Sequence, residues 1–357
     1  MDKTAEQLFD DSWANVETSR NDIVRLARGI GTKLGRSLPS DDQAAVRDII
    51  GELSKDHPKS DKEMIGWYGE AVRKLVDYAR KTGIFLVPDG VYPLDVTETP
   101  IELRDSIDGA AYYPAPPFKN SGIGRFYVTP TGNDLAALKS NNRSAIADLS
   151  AHEGFPGHDW HFKVIKQYRK DIAAIRLLTP GAVEDSSSMW EDSMPGEGWA
   201  LYVESLMAEP QDSAPYGFYT PEERLYHLQG KLLRDLRVRI DTGLHIGRLS
   251  YDDAVDLFSQ VFDFLPGSCH PDAPKDNAKN ASCKSAENNI FRYSKWPTQA
   301  ITYRLGKDEI LALREEAKKL LGERFSAATF HKHFMKQGTI PAGYFRAQLL
   351  DDLAHSH

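Results

Sequence analysis

The seven residues His152-Glu153-Gly154-Phe155-Pro156-Gly157-His158 constrain the fold of this chain more than any other stretch. The familiar zinc-hydrolase arrangement is H-E-x-x-H on a helix, where histidines four apart share one face. Here the second histidine stands six residues after the first. At 3.6 residues per turn, an unbroken helix would point His158 well away from His152. Pro156 removes a ladder donor and crowds the preceding turn, and Gly157 tolerates backbone conformations that other residues avoid. The pair predicts a bulge that extrudes two residues and returns His158 to the face of His152. The competing reading is two polar histidines at an exposed helix end. A second acidic motif, at Glu197 and Glu204, argues against it.

The chain of 357 residues is long enough for one large domain or two medium ones. Its 41% apolar and 27% charged residues describe a globular protein. A net charge of −8 with no basic stripe argues against a nucleic-acid partner. No apolar run reaches the length of a membrane span. Residues 1–20 are polar and acidic, unlike a signal peptide. The two cysteines, Cys269 and Cys283, lie in a hydrophilic segment. A disulfide between them would close a short loop and contribute about 3 kcal/mol in the chain-entropy picture. That pairing favours a periplasmic or secreted location. Free thiols on a cytoplasmic loop are the alternative.

Hydrophobic spacing predicts helices over 4–30, 42–55 and 60–81, the last closed by Gly83. Prolines 88, 93, 100, 114, 116 and 117 rule out long helices in the next stretch, and Ile123–Thr129 reads as a strand. A small sheet is therefore expected over 84–130, upstream of the motif helix. Its strand could offer backbone groups to an extended peptide, or be a purely structural hairpin. A helical run from Ile146 to Tyr168 carries the motif. Further helices are expected from about Ser193 to Ala208, from Thr220-Pro221 past His245, and over 250–264, 286–305, 307–321, 326–336 and 341–353. The fold class is mainly α, a multi-helix domain with a small sheet. The expected division is an N-terminal helical segment, 1–83, and a catalytic region, 84–357, packed as one compact domain.

A catalytic zinc site needs three protein ligands and one open position. His152 and His158 supply two. Glu197 is the better third candidate, because it opens a separate helix and Gly198 leaves room for close packing. Glu204, seven residues on and on the same face, would then accept the free N–H of a ligand histidine. The exchanged assignment, Glu204 as ligand, stays open. Glu153 projects beside the metal, where a general base belongs, or is a solvated helix charge. His245 and Tyr303 lie on otherwise apolar helix faces, where a polar ring needs a partner. They are candidate oxyanion donors or satisfied core side chains. Arg239 and Arg292 are candidates for holding a substrate carboxylate, as is Arg304, with surface salt bridges as the alternative. His161 reads as a neighbour of the site or a surface residue.

Four ordered motifs, HEGFPGH at 152–158, EGWALYVE at 197–204, DTGLH at 241–245 and WPTQAITYRLG at 296–306, run through the chain. Together they resemble the bacterial domain-of-unknown-function 885 family, over essentially the whole sequence. That family is similar to the gluzincin metallopeptidases. The resemblance implies a helical fold with zinc held by His152, His158 and Glu197, Glu153 as base, and His245 and Tyr303 steadying the transition state. Family members are usually longer, with a helical segment before the point where this chain begins, so a separate N-terminal segment or a second copy of the chain is a candidate partner. The expected activity is zinc-dependent hydrolysis of short peptides. A catalytically silent cleft-bearing binder and a hydrolase of non-peptide amides or esters are the alternatives.

Overall fold

The first three predicted helix starts are each met by a side chain that satisfies a free amide of the first turn. In the computed structural model, which describes residues 3–107, 109–120, 122–178 and 192–356, Thr4 forms a reciprocal capping box with Gln7. Asp41 accepts from the amide of Ala44, and Ser60 from that of Glu63. The elements so started are α1 (Ala5–Lys33), α2 (Asp42–Leu53) and α3 (Asp61–Thr82). Strands β1 (Asp95–Glu98), β2 (Ala110–Tyr113) and β3 (Arg125–Val128) follow. Then come α4 (Leu135–Ser140), α5 (Ile146–Glu153), α6 (His158–Gln167), α7 (Met194–Ala208) and α8 (Pro221–His245). The chain ends with α9 (Tyr251–Phe262), α10 (Asn277–Lys295), α11 (Gln299–Leu321), α12 (Ala327–Met335) and α13 (Ala342–His355). The mainly helical class with one small sheet is as expected.

The chain divides into two units, Met1–Lys55 with Pro221–Arg304, and Asp56–Thr220 with Leu305–His357. This differs from the division expected at residue 83. The reason lies in α3, whose partners are α5 and β1, whereas α1 packs along α8 and against α2. The first unit is built on a core of Val16, Ile23, Ile30, Leu232, Leu236, Ile240 and Phe258. Inside it Asp235, fully buried, accepts from Ser19 Oγ at 2.6 Å and Lys231 Nζ at 3.2 Å and is paired with Arg304. A buried carboxylate with this many donors keeps its charge at tolerable cost.

Cys269 and Cys283 form a disulfide, and both are buried against the core of this unit. The hydrophilic look of their segment misleads, because α10 begins at Asn277 and turns Cys283 inward. The break expected between 305 and 307 falls instead at Trp296–Thr298, where Thr298 has a φ of 70° and its amide donates to Asp241. Gly306 stays inside α11 because α7 crosses it there. A Cβ on Gly198 would lie 2.6 Å from Gly306 Cα.

The second unit holds the sheet and the motif helices. The strand order is β1-β3-β2, with β1 parallel and β2 antiparallel to β3. The strand predicted over 123–129 is therefore central, with a neighbour on each side, and β2 is an edge. The core is aromatic: Trp160 stacks on Trp199 at 5.6 Å, and Phe85, Phe155, Phe330 and Phe334 surround them. Such rings contribute about 0.5–1.5 kcal/mol per pair beyond their buried area. Within this core His331 stacks on Phe85 at 4.5 Å, accepts from Tyr202 Oη at 2.8 Å and donates from Nδ1 to Ile84 O at 2.9 Å.

Candidate metal centre

The expected run from Ile146 to Tyr168 is two helices, not one with a bulge. α5 stops at Glu153, Gly154–Gly157 form a link, and His158 opens α6. Both glycines in the link are required by space. A Cβ on Gly154 would lie 2.7 Å from Ser150 O and 2.8 Å from Val72, and one on Gly157 would overlap His152 O. Phe155 between them is fully buried, and Pro156 O accepts from Trp199 Nε1 at 3.0 Å. The link is thus pinned to the core on one side and to α7 on the other. Its result is that the rings of His152 and His158 meet edge to face, centroids 4.9 Å apart.

Glu197, in the first turn of α7, faces both rings. Its Oε2 lies 3.2 Å from His152 Nε2 and 3.5 Å from His158 Nε2. One ligand atom from each of these three residues lies within 4.8 Å of the others, a grouping able to hold a metal ion. Glu204, two turns along α7, stands behind His152, with Oε1 2.5 Å from Nδ1. The two carboxylates left open by sequence therefore occupy different positions. Glu197 shares the space between the Nε2 atoms, and Glu204 meets the far nitrogen of one ring. Among the described residues, the buried Nδ1 of His158 has no hydrogen-bond partner.

Charge is concentrated here at low exposure. Burial opposes a charged His152, but hydrogen bonds to Glu197 and Glu204 outweigh it and hold this imidazole well above the ordinary histidine range. Burial likewise works against the Glu197 carboxylate, and its bonds to His152 and His158 more than reverse that, holding it well below the usual range. Burial pushes Glu153 upward, offset in part by the two histidines. Its Oε1 lies 4.0 Å from His152 Nε2, and its Oε2 accepts the backbone amide of Tyr112 at 2.8 Å. The Tyr112 contact was not foreseen from sequence. Four residues of β2, between Gly109 and Pro114, carry no signal that one of its amides will meet the motif glutamate.

His161 is buried rather than on the surface, stacked on Phe162 at 4.9 Å, and burial pushes it down to about 3, so it is neutral. Asp159 is fully buried and paired with Lys163 at 2.8 Å. Beside the centre lies a cavity of about 260 Å³ whose walls include Tyr112, Phe162, Pro195, Gly196 and Asp192.

The sequence matches a family described as bacterial protein of unknown function (DUF885), over residues 1–265 and 275–349. The chain belongs to this family. No curated protein matches it. Two solved structures resemble the DUF885 chain in fold. One is a candidate lipoprotein from Colwellia psychrerythraea, 23% identical with a TM-score of 0.74, matched over 100% of this chain and 53% of its own. The other is a candidate lipoprotein of unknown function from Shewanella oneidensis, 22% identical with a TM-score of 0.75, matched over 98% of this chain and 57% of its own. The chain spans a little over half the length of these structures.

The structure gathers His152, Glu153, His158, Glu197 and Glu204 in one unit of the DUF885 fold. His245, Tyr303, Arg239 and Arg292 belong to the other unit. There His245 Nε2 meets Tyr293 O at 3.2 Å, and the guanidinium of Arg237 lies 4.9 Å from the Tyr303 ring centre. Arg239 donates to Phe9 O at 2.8 Å and lies over the Phe9 ring, and Arg292 donates to Gln299 at 2.8 Å. Arg304, the third arginine, is committed to buried Asp235.

Proposed function

We propose that this chain is a zinc-dependent hydrolase that cleaves peptide bonds in short peptides. The observation that carries the reading is the convergence of donor atoms from His152, His158 and Glu197 beside a buried Glu153. Two imidazole nitrogens and a carboxylate oxygen are a donor set that suits catalytic zinc. Glu204 supports it, because a carboxylate on Nδ1 of His152 leaves Nε2 to face the ion. Bound zinc would supply an acidified water and a polarised substrate carbonyl.

The chain's own residues do the rest. Tyr112 N–H holds Oε2 of Glu153, which leaves Oε1, the oxygen nearer His152, to take the proton from the attacking water. The same carboxyl group then delivers that proton to the leaving amine. Burial raises the affinity of Glu153 for a proton, which suits both transfers. Strand β2 favours a peptide over other amides, because an edge strand beside the base can pair with an extended backbone.

A silent binding protein would need the pocket but no buried base anchored at one oxygen. The test is zinc content by elemental mass spectrometry on the parent and on His158→Ala and Glu197→Ala, with a peptide-library digest on the parent. About one zinc per chain, lost in both variants, together with cleavage, is the expected result. Zinc without cleavage of any peptide would transfer the reading to the binder, or to a hydrolase of other amides or esters.

A further inference from the structure

The cavity beside the metal triad has a composition that selects among substrates. We infer that it receives an uncharged, ring-bearing side chain of the substrate next to the bond being cut, and that it rejects acidic side chains. This rests on the peptide-hydrolase reading and adds a substrate class to it.

Three features carry the inference. First, one wall is a pair of rings: Tyr112 and Phe162 lie nearly parallel, 13° apart in plane with centroids 6.1 Å apart. Flat faces beside a vacant slot favour a planar guest. Pro114 and Pro195 add rigid apolar surface. Second, the floor is open at Gly196, where an added Cβ would meet nothing nearer than His158 Cε1 at 3.8 Å. Any larger side chain at that position would therefore grow into the cavity. Third, among the described residues the lining contains no lysine or arginine, whereas Asp192 and Glu197 both contribute carboxylates. With Glu197 committed to the metal, a glutamate or aspartate side chain in the cavity would still enter beside the Asp192 carboxylate with no lysine or arginine to pair with it. The volume, about 260 Å³, suits one large side chain and not a longer segment.

The test uses binding, so that it does not depend on turnover. End-blocked Ala-Phe-Ala, Ala-Glu-Ala and Ala-Gly-Ala are titrated calorimetrically into the zinc-loaded Glu153→Gln protein. The Phe peptide should bind more tightly than the Gly and Glu peptides by about tenfold or more, in line with filling an apolar pocket. Gly196→Val, which occupies the floor, should reduce the Phe advantage to about threefold or less, while zinc content stays at the parent value. Phe162→Ala, which removes one ring of the wall and leaves Gly196 untouched, should also weaken the Phe peptide selectively. Equal binding of the Phe and Glu peptides, or a Phe advantage that survives both variants, overturns the assignment. Failure of the parent to cleave any of the three, with the Phe preference in binding intact, would overturn the hydrolase reading and leave the pocket assignment standing.

Discussion

Two buried histidines of the same unit, His152 and His331, show how the fold separates a ring among neutral partners from one among carboxylates. Both are almost fully enclosed and both use each ring nitrogen. His331 is surrounded by neutral partners: a carbonyl oxygen on Nδ1, the hydroxyl of Tyr202 on Nε2, and the face of Phe85. Burial then wins, and pushes its pKa down to about 3. His152 is surrounded by carboxylates, Glu204 on Nδ1 and Glu197 on Nε2, and these more than offset the same burial. The difference is in both partners of each ring. A carbonyl and a hydroxyl leave the His331 ring with no carboxylate to favour its charged form. One carboxylate shared with a second histidine makes a centre suited to a cation.

The sharpest way to break the comparison is at Glu153. Glu153→Gln keeps the shape and the bond from Tyr112 N–H but removes the proton acceptor. Peptide cleavage should fall by about 10²–10⁴-fold in kcat, with zinc content unchanged. Cleavage at the parent rate would show that the base lies elsewhere, and the site around His152 would then differ from that around His331 in metal binding only.

The next effect is one of pH and belongs to the structural histidine. The native pKa of His331 is depressed to about 3 by burial, against an ordinary value of about 6.5. Between those values the unfolded chain binds a proton that the native chain does not. The stability from this residue is therefore present above pH 6.5 and is lost as pH falls towards 3. From pH 6.5 to 4 the loss is about 3 kcal/mol for this group. His161, also near 3 through burial, adds a similar dependence. Urea unfolding across this range should show a shallower acid slope for His331→Phe than for the parent. An unchanged slope would mean that His331 is not held neutral by its surroundings.

A smaller effect is expected at Glu204. Glu204→Gln retains an oxygen for the Nδ1–H of His152 but removes the charge. Zinc affinity, read by competition with a chelator, should weaken by about 10–100-fold, while Glu197→Ala should lose zinc altogether. If the order were reversed, with Glu204 the more damaging, the exchange of roles left open by the sequence would be the right one.

Much of the helical architecture was legible in the chain because it rests on local rules. Ser60, Asp41 and Gly83 do the capping work expected of their types, and the spacing of Met64, Val72 and Leu75 marks the buried face of α3. The meeting of His152 and His158 was legible too, since Pro156-Gly157 disallows a straight helix. What could not be read were features set by distant packing. Gly306 looks like a helix breaker, but α7 crosses at Gly198 and a side chain there has no room. Cys283 looks exposed until α10 is seen to begin early. The amide of Tyr112 carries no side-chain signature at all, so its bond to Glu153 could emerge only from the fold.

The mildest test joins the two histidines through the helix they both contact. Tyr202 lies on α7 between Glu197 and Glu204, and its hydroxyl donates to His331 while accepting from Arg314 at 3.3 Å. Arg314 keeps a two-pronged pairing with Glu209, at 2.9 Å to each oxygen, whether or not the hydroxyl is present. Tyr202→Phe therefore removes the bond to His331 Nε2 and the long one from Arg314 and leaves the ring packing in place, with a cost of about 1–3 kcal/mol in urea unfolding. If the network around His331 is only structural, zinc content and the pH profile of cleavage should not move. A drop in zinc affinity comparable to that of Glu204→Gln would show that the bond to His331 sets the rotation of α7, and that the neutral histidine helps position the carboxylates that distinguish its counterpart.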